Sequence, residues 1–138
     1  MKNDLFIIDT NTLISAFLFK ESNPRKAFDK ATETGKISAS LERYNEFREV
    51  LLRPKFDKYI STEKKLLVLK KFKELIVFSE ISETITDCRD SKDNKFLELA
   101  ISANASCIIT GDKDLLVLHP FRGIPILNAV DFINNFDA

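Results

Sequence analysis

Two apolar, strand-like runs of this sequence end in an aspartate, and a helical pattern follows each one. Leu5–Ile8 leads into Asp9, and the run Ile108-Ile109-Thr110-Gly111 leads into Asp112. In open α/β sheets, ligands bind beyond the carboxyl ends of parallel strands, where such side chains leave the core. A single aspartate at such a turn is more often a helix N-cap than a ligand. Two strand ends of the same design indicate that both carboxylates face a common cleft.

Further acids lie near or within helical patterns. Asp90 and Asp93 come just before a helix, and their spacing also resembles a capping pair. Glu46 lies inside a helix, where only its apolar neighbours place it near the buried side. Both segments are therefore compatible with a structural role and with a ligand role.

Clustered carboxylates resist joint ionisation unless a cation neutralises them. Oxygen ligands without His or Cys favour Mg²⁺ or Mn²⁺, and such an ion supports cleavage of phosphodiesters. His119 is the only histidine, and Cys88 and Cys107 are the only cysteines. That inventory excludes a Cys/His zinc site and disfavours Ser-His or Cys-His nucleophilic catalysis.

Strand-like and helical runs alternate along the chain, which predicts an α/β fold with parallel strands joined by right-handed crossovers. The expected strands are Leu5–Ile8, Lys36–Ala39, Ile76–Ile81, Ser106–Thr110 and Ile124–Leu127. The expected helices are Thr12–Phe19, Asn23 (as N-cap) to about Gly35, Leu41–Leu52, Lys55–Ile60, Thr62–Leu75, Asp93–Asn104, Lys113–Leu118 and Val130–Phe136. With 138 residues and no linker, the chain is expected to form one domain over residues 1–138.

The formal net charge is zero, so the whole chain lacks the basic excess typical of nucleic-acid binders. Lysine and arginine are nevertheless in local excess between Arg53 and Glu74. These side chains either track phosphates or form the solvated face of an amphipathic helix. No apolar run approaches the roughly 18 to 20 residues of a membrane helix. The first residues, Met-Lys-Asn-Asp, lack the features of a secretion signal, so we expect a cytoplasmic protein without membrane contact.

Four motifs follow one another in the order found in PIN domains. They are Ile8-Asp9-Thr10-Asn11, the segment Tyr44 to Leu51 around Glu46, the segment Asp93 to Ala100, and Thr110-Gly111-Asp112-Lys113-Asp114-Leu115. Over essentially its whole length the chain resembles PIN-domain proteins, most closely those described as toxins of toxin-antitoxin systems. This resemblance implies a three-layer α/β/α sandwich on a central parallel sheet of about five strands. It also implies an acidic pocket that binds Mg²⁺ or Mn²⁺ and cleaves single-stranded RNA.

The resemblance also implies roles for particular residues. Asp9, Glu46, Asp93 and Asp112 match the family's four acidic positions, and no core acid is missing. Asp9, Asp93 and Asp112 are the expected metal ligands, with Asp9 central, while Glu46 binds a second ion or orients the attacking water. Asp90 takes the place of Asp93 if the register differs. The expected supporting residues are Asn11, Asp90, Thr110 and Asp114.

The implied partners are single-stranded RNA, a cognate antitoxin and a second copy of the chain. Arg53, Lys55 and Lys58 are the foremost candidates for RNA phosphate contacts, within a wider set of lysines that extends to Lys73.

Two other classes of protein are weighed against the nuclease. One keeps the fold and acidic pocket but only binds RNA or a protein, and measured cleavage separates it from a nuclease. The other forms an aspartyl-phosphate, as receivers and phosphatases do. Such a phosphatase has a second acid at the position where this chain has Asn11, and Lys36–Ser40 supplies no phosphoacceptor aspartate.

Overall fold

A computed structural model describes residues 4–137, in which five strands alternate with helices. The strands are β1 (Leu5–Ile8), β2 (Lys36–Ala39), β3 (Val77–Phe78), β4 (Cys107–Ile109) and β5 (Ile126–Leu127). The helices are α1 (Thr10–Leu18), α2 (Asn23–Thr34), α3 (Leu41–Leu51), α4 (Thr62–Leu75), α5 (Asn94–Ser102), α6 (Lys113–Leu116) and α7 (Ala129–Asn135). Short 3₁₀ helices cover Pro54–Phe56 and Ser91–Asp93.

The strands form one parallel sheet in the order β3-β2-β1-β4-β5, with a hydrophobic core on each face. Successive side chains of a strand point to opposite faces. Phe6 and Ile8 therefore pack with the phenylalanine-rich core under α1 to α4 and α7, whereas Ile7 packs with the aliphatic core under α5 and α6. The expected three-layer α/β/α sandwich with a parallel five-stranded sheet is confirmed.

The sheet reverses its strand order beside β1, because β2 lies on one side of β1 and β4 on the other. Crossovers leave β1 and β4 in opposite directions at such a point, which opens a crevice beyond their carboxyl ends. The backbone amide of Asp9 donates to the carbonyl of Ile109 at 3.2 Å, so the two strand ends are held together. Asp9 and Asp112 therefore follow adjacent strands, as their sequence pattern predicts.

Several predicted boundaries are wrong. The third strand ends at Phe78 rather than Ile81, because an edge strand pairs on one side only and Ile81 is exposed. The N-cap of α2 is Ser22 rather than Asn23, since the Ser22 hydroxyl accepts a hydrogen bond from the Arg25 amide at 3.3 Å. Helix α1 begins at Thr10, two residues before the predicted start, because Asp9 is its N-cap.

The predicted helix Lys55–Ile60 is replaced by the short 3₁₀ helix Pro54–Phe56 and a turn. The cause is Lys65 of α4, whose side chain is only 1% exposed. Its ammonium donates to the Arg53 carbonyl at 3.2 Å and to the Asp57 carboxylate at 2.6 Å. The segment thus folds around a buried cation instead of continuing as a helix. Residues 1–3, which entered the inference about secretion, and residue 138 lie outside the described residues.

Candidate active site

Asp9 and Asp112 are both helix caps at the ends of their strands, and a threonine connects them. Asp9 Oδ1 accepts a hydrogen bond from the Thr12 amide at 2.8 Å, and Asp112 Oδ1 accepts one from the Asp114 amide at 2.8 Å. The fully buried Thr110 hydroxyl donates to Asp9 Oδ2 and accepts from the Asp112 amide at 3.0 Å. Capping occupies one oxygen of each carboxylate, and Thr110 contacts the other oxygen of Asp9. Because each carboxylate oxygen can accept more than one bond, these structural roles do not exclude a ligand role.

Asp90 and Asp93 lie at the two ends of the 3₁₀ helix Ser91–Asp93, and only Asp90 caps it. Asp90 Oδ1 accepts a hydrogen bond from the Lys92 amide at 3.1 Å. Asp93 precedes α5 but makes no side-chain capping bond. Of the capping pair suggested by the sequence, only Asp90 acts as a cap. The Asp93 carboxylate does not cap a helix.

Asp93 is 9% exposed, and its Oδ2 has no hydrogen-bond donor among the described residues. Burial raises the pKa of Asp93 from 3.8 to about 7. The hydrogen bond that protonated Asp93 can donate to Asp112, and the negative charges of Asp112, Asp90 and Asp9, raise this pKa further. A buried carboxylate needs either a proton or a cation to offset its charge. Its surroundings therefore suit a bound cation.

Three carboxylates converge at this point. One oxygen from each of Asp90, Asp93 and Asp112 lies within 4.8 Å of the others. All three line a cleft of about 360 Å³, here called the acidic cleft, which Asp9 and Glu46 also line. The donor set is entirely oxygen, which Mg²⁺ and Mn²⁺ prefer. Asp9, the predicted central ligand, lies beside this triad. Asp90 and Asp93 both belong to the triad, so Asp90 does not take the place of Asp93.

Glu46 reaches the acidic cleft from α3, as expected for an acid near the buried side of that helix. Its Oε1 accepts hydrogen bonds from the Thr10 hydroxyl and from Arg43, both at 2.7 Å. The Glu46 side chain is 37% exposed, whereas that of Arg43 is 12% exposed. Glu46 is therefore fixed in direction but remains accessible to solvent.

The predicted phosphate contacts divide into two groups. Arg53 lines the acidic cleft, together with Lys92, which the sequence reasoning missed. Lys55 and Lys58 are exposed and lie over the rings of Phe56 and Tyr59, each at 5.1 Å from the ring centroid.

The wider set of candidate lysines needs one correction. Lys65 cannot contact RNA, because it is buried and paired with Asp57. The basic helix α4 is thus partly structural rather than a uniformly solvated or phosphate-binding face.

The predicted supporting residues differ in their surroundings. Asn11 is exposed and lines the acidic cleft, whereas Thr110 is buried beneath it. The Asp114 carboxylate forms an ion pair with the exposed Arg89 and does not belong to the converging triad.

Two residues that sequence reasoning missed hold the acids in place. Asn94 is buried, and its Oδ1 accepts a hydrogen bond from the Cys88 amide at 2.7 Å, which fixes the loop before Asp90. Arg43 orients Glu46, and its guanidinium lies 5.7 Å from the centre of the Phe96 ring. The three-residue spacing of Arg43 and Glu46 on a predicted helix was the available signal. Nothing local in the sequence marks the bond between Asn94 and Cys88.

The fold agrees with the comparisons to known proteins. The family model for the PIN domain matches residues 6–114. The chain therefore belongs to the PIN domain family, whose members are generally nucleases and usually use Mg²⁺ or Mn²⁺. The matched span includes all five acids that line the acidic cleft.

The proteins similar to the chain include one relative in sequence and one solved structure. The uncharacterized protein MJ1680 of Methanocaldococcus jannaschii is 36% identical over 115 residues, which cover 82% of this chain and 74% of that protein. A chain of the crystal structure of VapBC2 from Rickettsia felis, bound to a DNA fragment from its promoter, superposes with a TM-score of 0.58. That match has 14% identity and covers 90% of this chain and 98% of the other, so it supports the fold.

The helices formed by residues 4–137 include none whose length and apolar character would let it cross a membrane.

Proposed function

We propose that the protein is a metal-dependent endoribonuclease that cleaves single-stranded RNA with Mg²⁺ or Mn²⁺ and acts as the toxin of a toxin-antitoxin pair. The observation that carries the nuclease proposal is the buried oxygen of Asp93, which has no hydrogen-bond donor among the described residues and converges with Asp90 and Asp112. A protein that only binds RNA has no need for such a group. Leaving it without a partner costs free energy in the absence of a ligand.

Asp93, Asp112 and Asp90 would hold the cation, with Asp9 at the edge of the same cleft. When bound, a divalent cation offsets the repulsion among the carboxylates and polarises the attacked phosphate. Thr110 fixes Asp9 and Asp112 relative to one another, because one hydroxyl contacts the carboxylate of the first and the amide of the second. The chain thus contributes oxygen ligands from the 3₁₀ helix Ser91–Asp93 and its N-cap and from the turn after β4, with Asp9 at the end of the adjacent strand β1.

Glu46 is our candidate for taking a proton from the attacking water. Both hydrogen bonds that it accepts from described residues go to Oε1, so Oε2 is available to a water molecule in the cleft. Arg43 and Thr10 hold Glu46 in position without burying it. Arg53 and Lys92, which line the same cleft, are our candidates for contacts with phosphates of the bound RNA.

The choice of RNA as substrate rests on the resemblance to PIN-domain ribonucleases and on the form of the cleft. The acidic cleft is open on the surface and lies at the junction of two strand ends. An unpaired strand can bring its backbone into such a cleft with the bases turned aside, which a duplex resists. We therefore expect unpaired segments to be cut in preference to paired ones.

The test is cleavage of fluorescent single-stranded RNA by purified protein in Mg²⁺, Mn²⁺ and EDTA, with Asp93→Asn compared to wild type. Because the amide of this variant cannot supply the anionic oxygen, we expect the rate to fall by at least about 100-fold. Glu33→Gln removes an exposed acid of α2 that is absent from the cleft and serves as the matched control. Equal cleavage by wild type and Asp93→Asn, or binding without cleavage over a broad RNA panel, would contradict the nuclease proposal.

The toxin proposal is supported by the likeness in fold to a chain of the VapBC2 complex, together with the motif pattern. We expect expression of the wild type to arrest growth and Asp93→Asn to relieve the arrest. Co-expression of a small protein encoded beside this chain should protect the cells and co-purify with it as its antitoxin. Light scattering of the purified chain should give the mass of a homodimer. Growth that is unaffected by active enzyme would contradict the toxin role while leaving the nuclease role intact.

A further inference from the structure

A second depression, here called the outer groove, continues from the acidic cleft on the far side of Asp9 and Asp112. Its first part has a volume of about 360 Å³ and shares Asp9, Asn11 and Asp112 with the acidic cleft. Its second part has a volume of about 440 Å³ and shares Thr12, Pro24 and Gly111 with the first. The two depressions therefore adjoin one another across the carboxyl ends of the strands, with Asp9 and Asp112 at their junction.

The chemistry changes from one depression to the other. The acidic cleft is lined by five carboxylates, whereas the second part of the outer groove has none among its lining residues. Its apolar surface comes from Pro24, Leu116, Ala129 and Val130. The volume of this part lies within the range of about 300 to 1,000 Å³ that is typical of small-ligand sites.

Two polar side chains border this apolar surface. Lys113 makes no ion pair within 4.0 Å among residues 4–137, so its charge is available to an anion. The Asn128 side chain accepts from the Asp131 amide through Oδ1, which leaves its amide nitrogen as a donor. An apolar surface with one cation and one amide donor suits a nucleobase joined to a phosphate, because the base has apolar faces and polar edges.

We propose that the outer groove binds the nucleotide next to the scissile phosphate, with the base against Pro24, Leu116 and Val130 and the phosphate at Lys113. This proposal rests on the proposed function and deepens it, since it assigns the path that single-stranded RNA follows through the site. The occupant is a nucleotide because the groove adjoins the acidic cleft and its second part carries a cation, Lys113, and no carboxylate. The strand then crosses the line from Asp9 to Asp112, where its phosphate meets the acids.

Gly111 offers a way to block this path without disturbing the backbone. A Cβ atom built at Gly111 meets no heavy atom within 4 Å, and Gly111 lines both parts of the outer groove. A leucine there would project into the open space and narrow the groove. Lys113→Met removes only the charge.

Each groove variant has a matched control. Val117→Trp adds bulk at a residue that is 76% exposed and does not line the groove. Lys36→Met removes an exposed lysine at the start of β2, on the far side of β1 from the groove.

The experiment measures the binding of a fluorescent single-stranded RNA by anisotropy, with every variant made in an Asp93→Asn background so that the RNA stays intact. Gly111→Leu and Lys113→Met should each weaken binding by about tenfold or more, as loss of a stacked base or phosphate contact does. Val117→Trp and Lys36→Met should stay within about twofold of the parent. Thermal melts of all variants identify any loss of fold, and Gly111→Ser provides a smaller substitution if Gly111→Leu is unstable.

Binding unaffected by Gly111→Leu and Lys113→Met, equal weakening in the two controls, or no RNA binding by the parent would overturn the groove assignment. Cleavage by the wild type is measured separately. RNA cleavage together with groove-independent binding would refute the groove and leave the proposed function standing. Groove-dependent binding without any cleavage would refute the nuclease and leave the groove standing.

Discussion

The acidic cleft combines two regions that treat their carboxylates in opposite ways. At the strand ends, Asp9 and Asp112 cap helices and are joined by Thr110, so each contributes to the folded state without a ligand. Before α5, Asp93 is buried with an oxygen that no described residue satisfies. Asp9 and Asp112 thus stabilise the folded state through hydrogen bonds, whereas burial of Asp93 costs free energy unless a ligand or a proton offsets its charge. Asp93 is therefore the strongest indication of a ligand, although the sequence pattern singled out Asp9.

The largest expected effect concerns Asp93 in metal-free protein. The folded state holds the Asp93 proton up to about pH 7, whereas its ordinary pKa is 3.8, so this group makes the free energy of unfolding fall as pH rises between those values. Asp93→Asn has no such proton to lose. At about pH 8 in EDTA we expect Asp93→Asn to be more stable than wild type by on the order of a few kcal/mol, with the difference shrinking toward pH 4.

Denaturant unfolding of both proteins across this pH range measures the difference directly, and it cancels the titration of carboxylates outside the acidic cleft. Mg²⁺ should stabilise the wild type at pH 8 and leave Asp93→Asn unchanged, because binding to the folded state alone raises stability. Glu33→Gln controls for the loss of an acid from the surface. If the wild type is more stable than Asp93→Asn at pH 8 without metal, Asp93 does not destabilise the fold. The proposed difference between Asp93 and the strand-end acids would then be wrong.

The second effect tests the strand-end acids, Asp9 and Asp112, and the threonine that connects them. Thr110→Val keeps the shape of the buried side chain but removes its hydroxyl, which leaves Asp9 Oδ2 without its donor and the Asp112 amide without its acceptor. We expect a loss of about 1 to 3 kcal/mol in the free energy of unfolding, with or without metal. The same substitution should weaken Mg²⁺ binding by about 10- to 100-fold, because Thr110 holds two acids in register.

Calorimetry of metal binding and denaturant unfolding separate these two consequences. Thr12→Val is the control, since it removes the hydroxyl of a largely buried threonine of α1 that makes no side-chain hydrogen bond to the described residues, while leaving the amide that Asp9 caps. If Thr110→Val is as stable as the wild type, the hydrogen bonds of Thr110 do not stabilise the fold. The strand-end acids would then not differ from Asp93 in this respect.

The sequence predicted the strand-end region better than the region around Asp93, for a physical reason. Asp9 and Asp112 follow buried runs whose direction is set by periodicity, so their common edge follows from the parallel topology. Asp93 depends on an irregular loop whose course is fixed by tertiary contacts, such as the bond from the Cys88 amide to Asn94. A local pattern cannot reveal such contacts. The capping-pair interpretation was correct for Asp90 alone.

Lys65 illustrates the same limit in the basic segment. Its position among other lysines of a predicted helix suggested solvent exposure, yet it is buried because Asp57 and the Arg53 carbonyl satisfy its ammonium. Helical periodicity identified the extent of α4 correctly from Thr62 to Leu75. It could not identify which lysine finds a partner in a neighbouring turn, because that depends on how the chain packs beyond the helix.

The smallest expected effect on stability is that of Glu46→Gln. The variant distinguishes an acid that stabilises the folded state from one that takes part in cleavage. Glu46 is 37% exposed and its main ionic partner is Arg43, so the variant should lose no more than about 1 kcal/mol in the free energy of unfolding. Glutamine retains an oxygen for the Thr10 hydroxyl but cannot take a proton from water. If Glu46 has that role, RNA cleavage falls by about 100-fold or more while Mg²⁺ binding and stability stay near wild type.

Single-turnover cleavage, metal calorimetry and unfolding on the same preparations provide the three measurements, with Glu42→Gln on the same helix as the control. A parallel loss of metal affinity would instead make Glu46 a ligand for an ion, which is the other role its family position implies. Cleavage at the wild-type rate would exclude both roles. Glu46 would then resemble Asp9 in its capacity as a structural acid, and the reactive part of the cleft would be confined to the triad around Asp93.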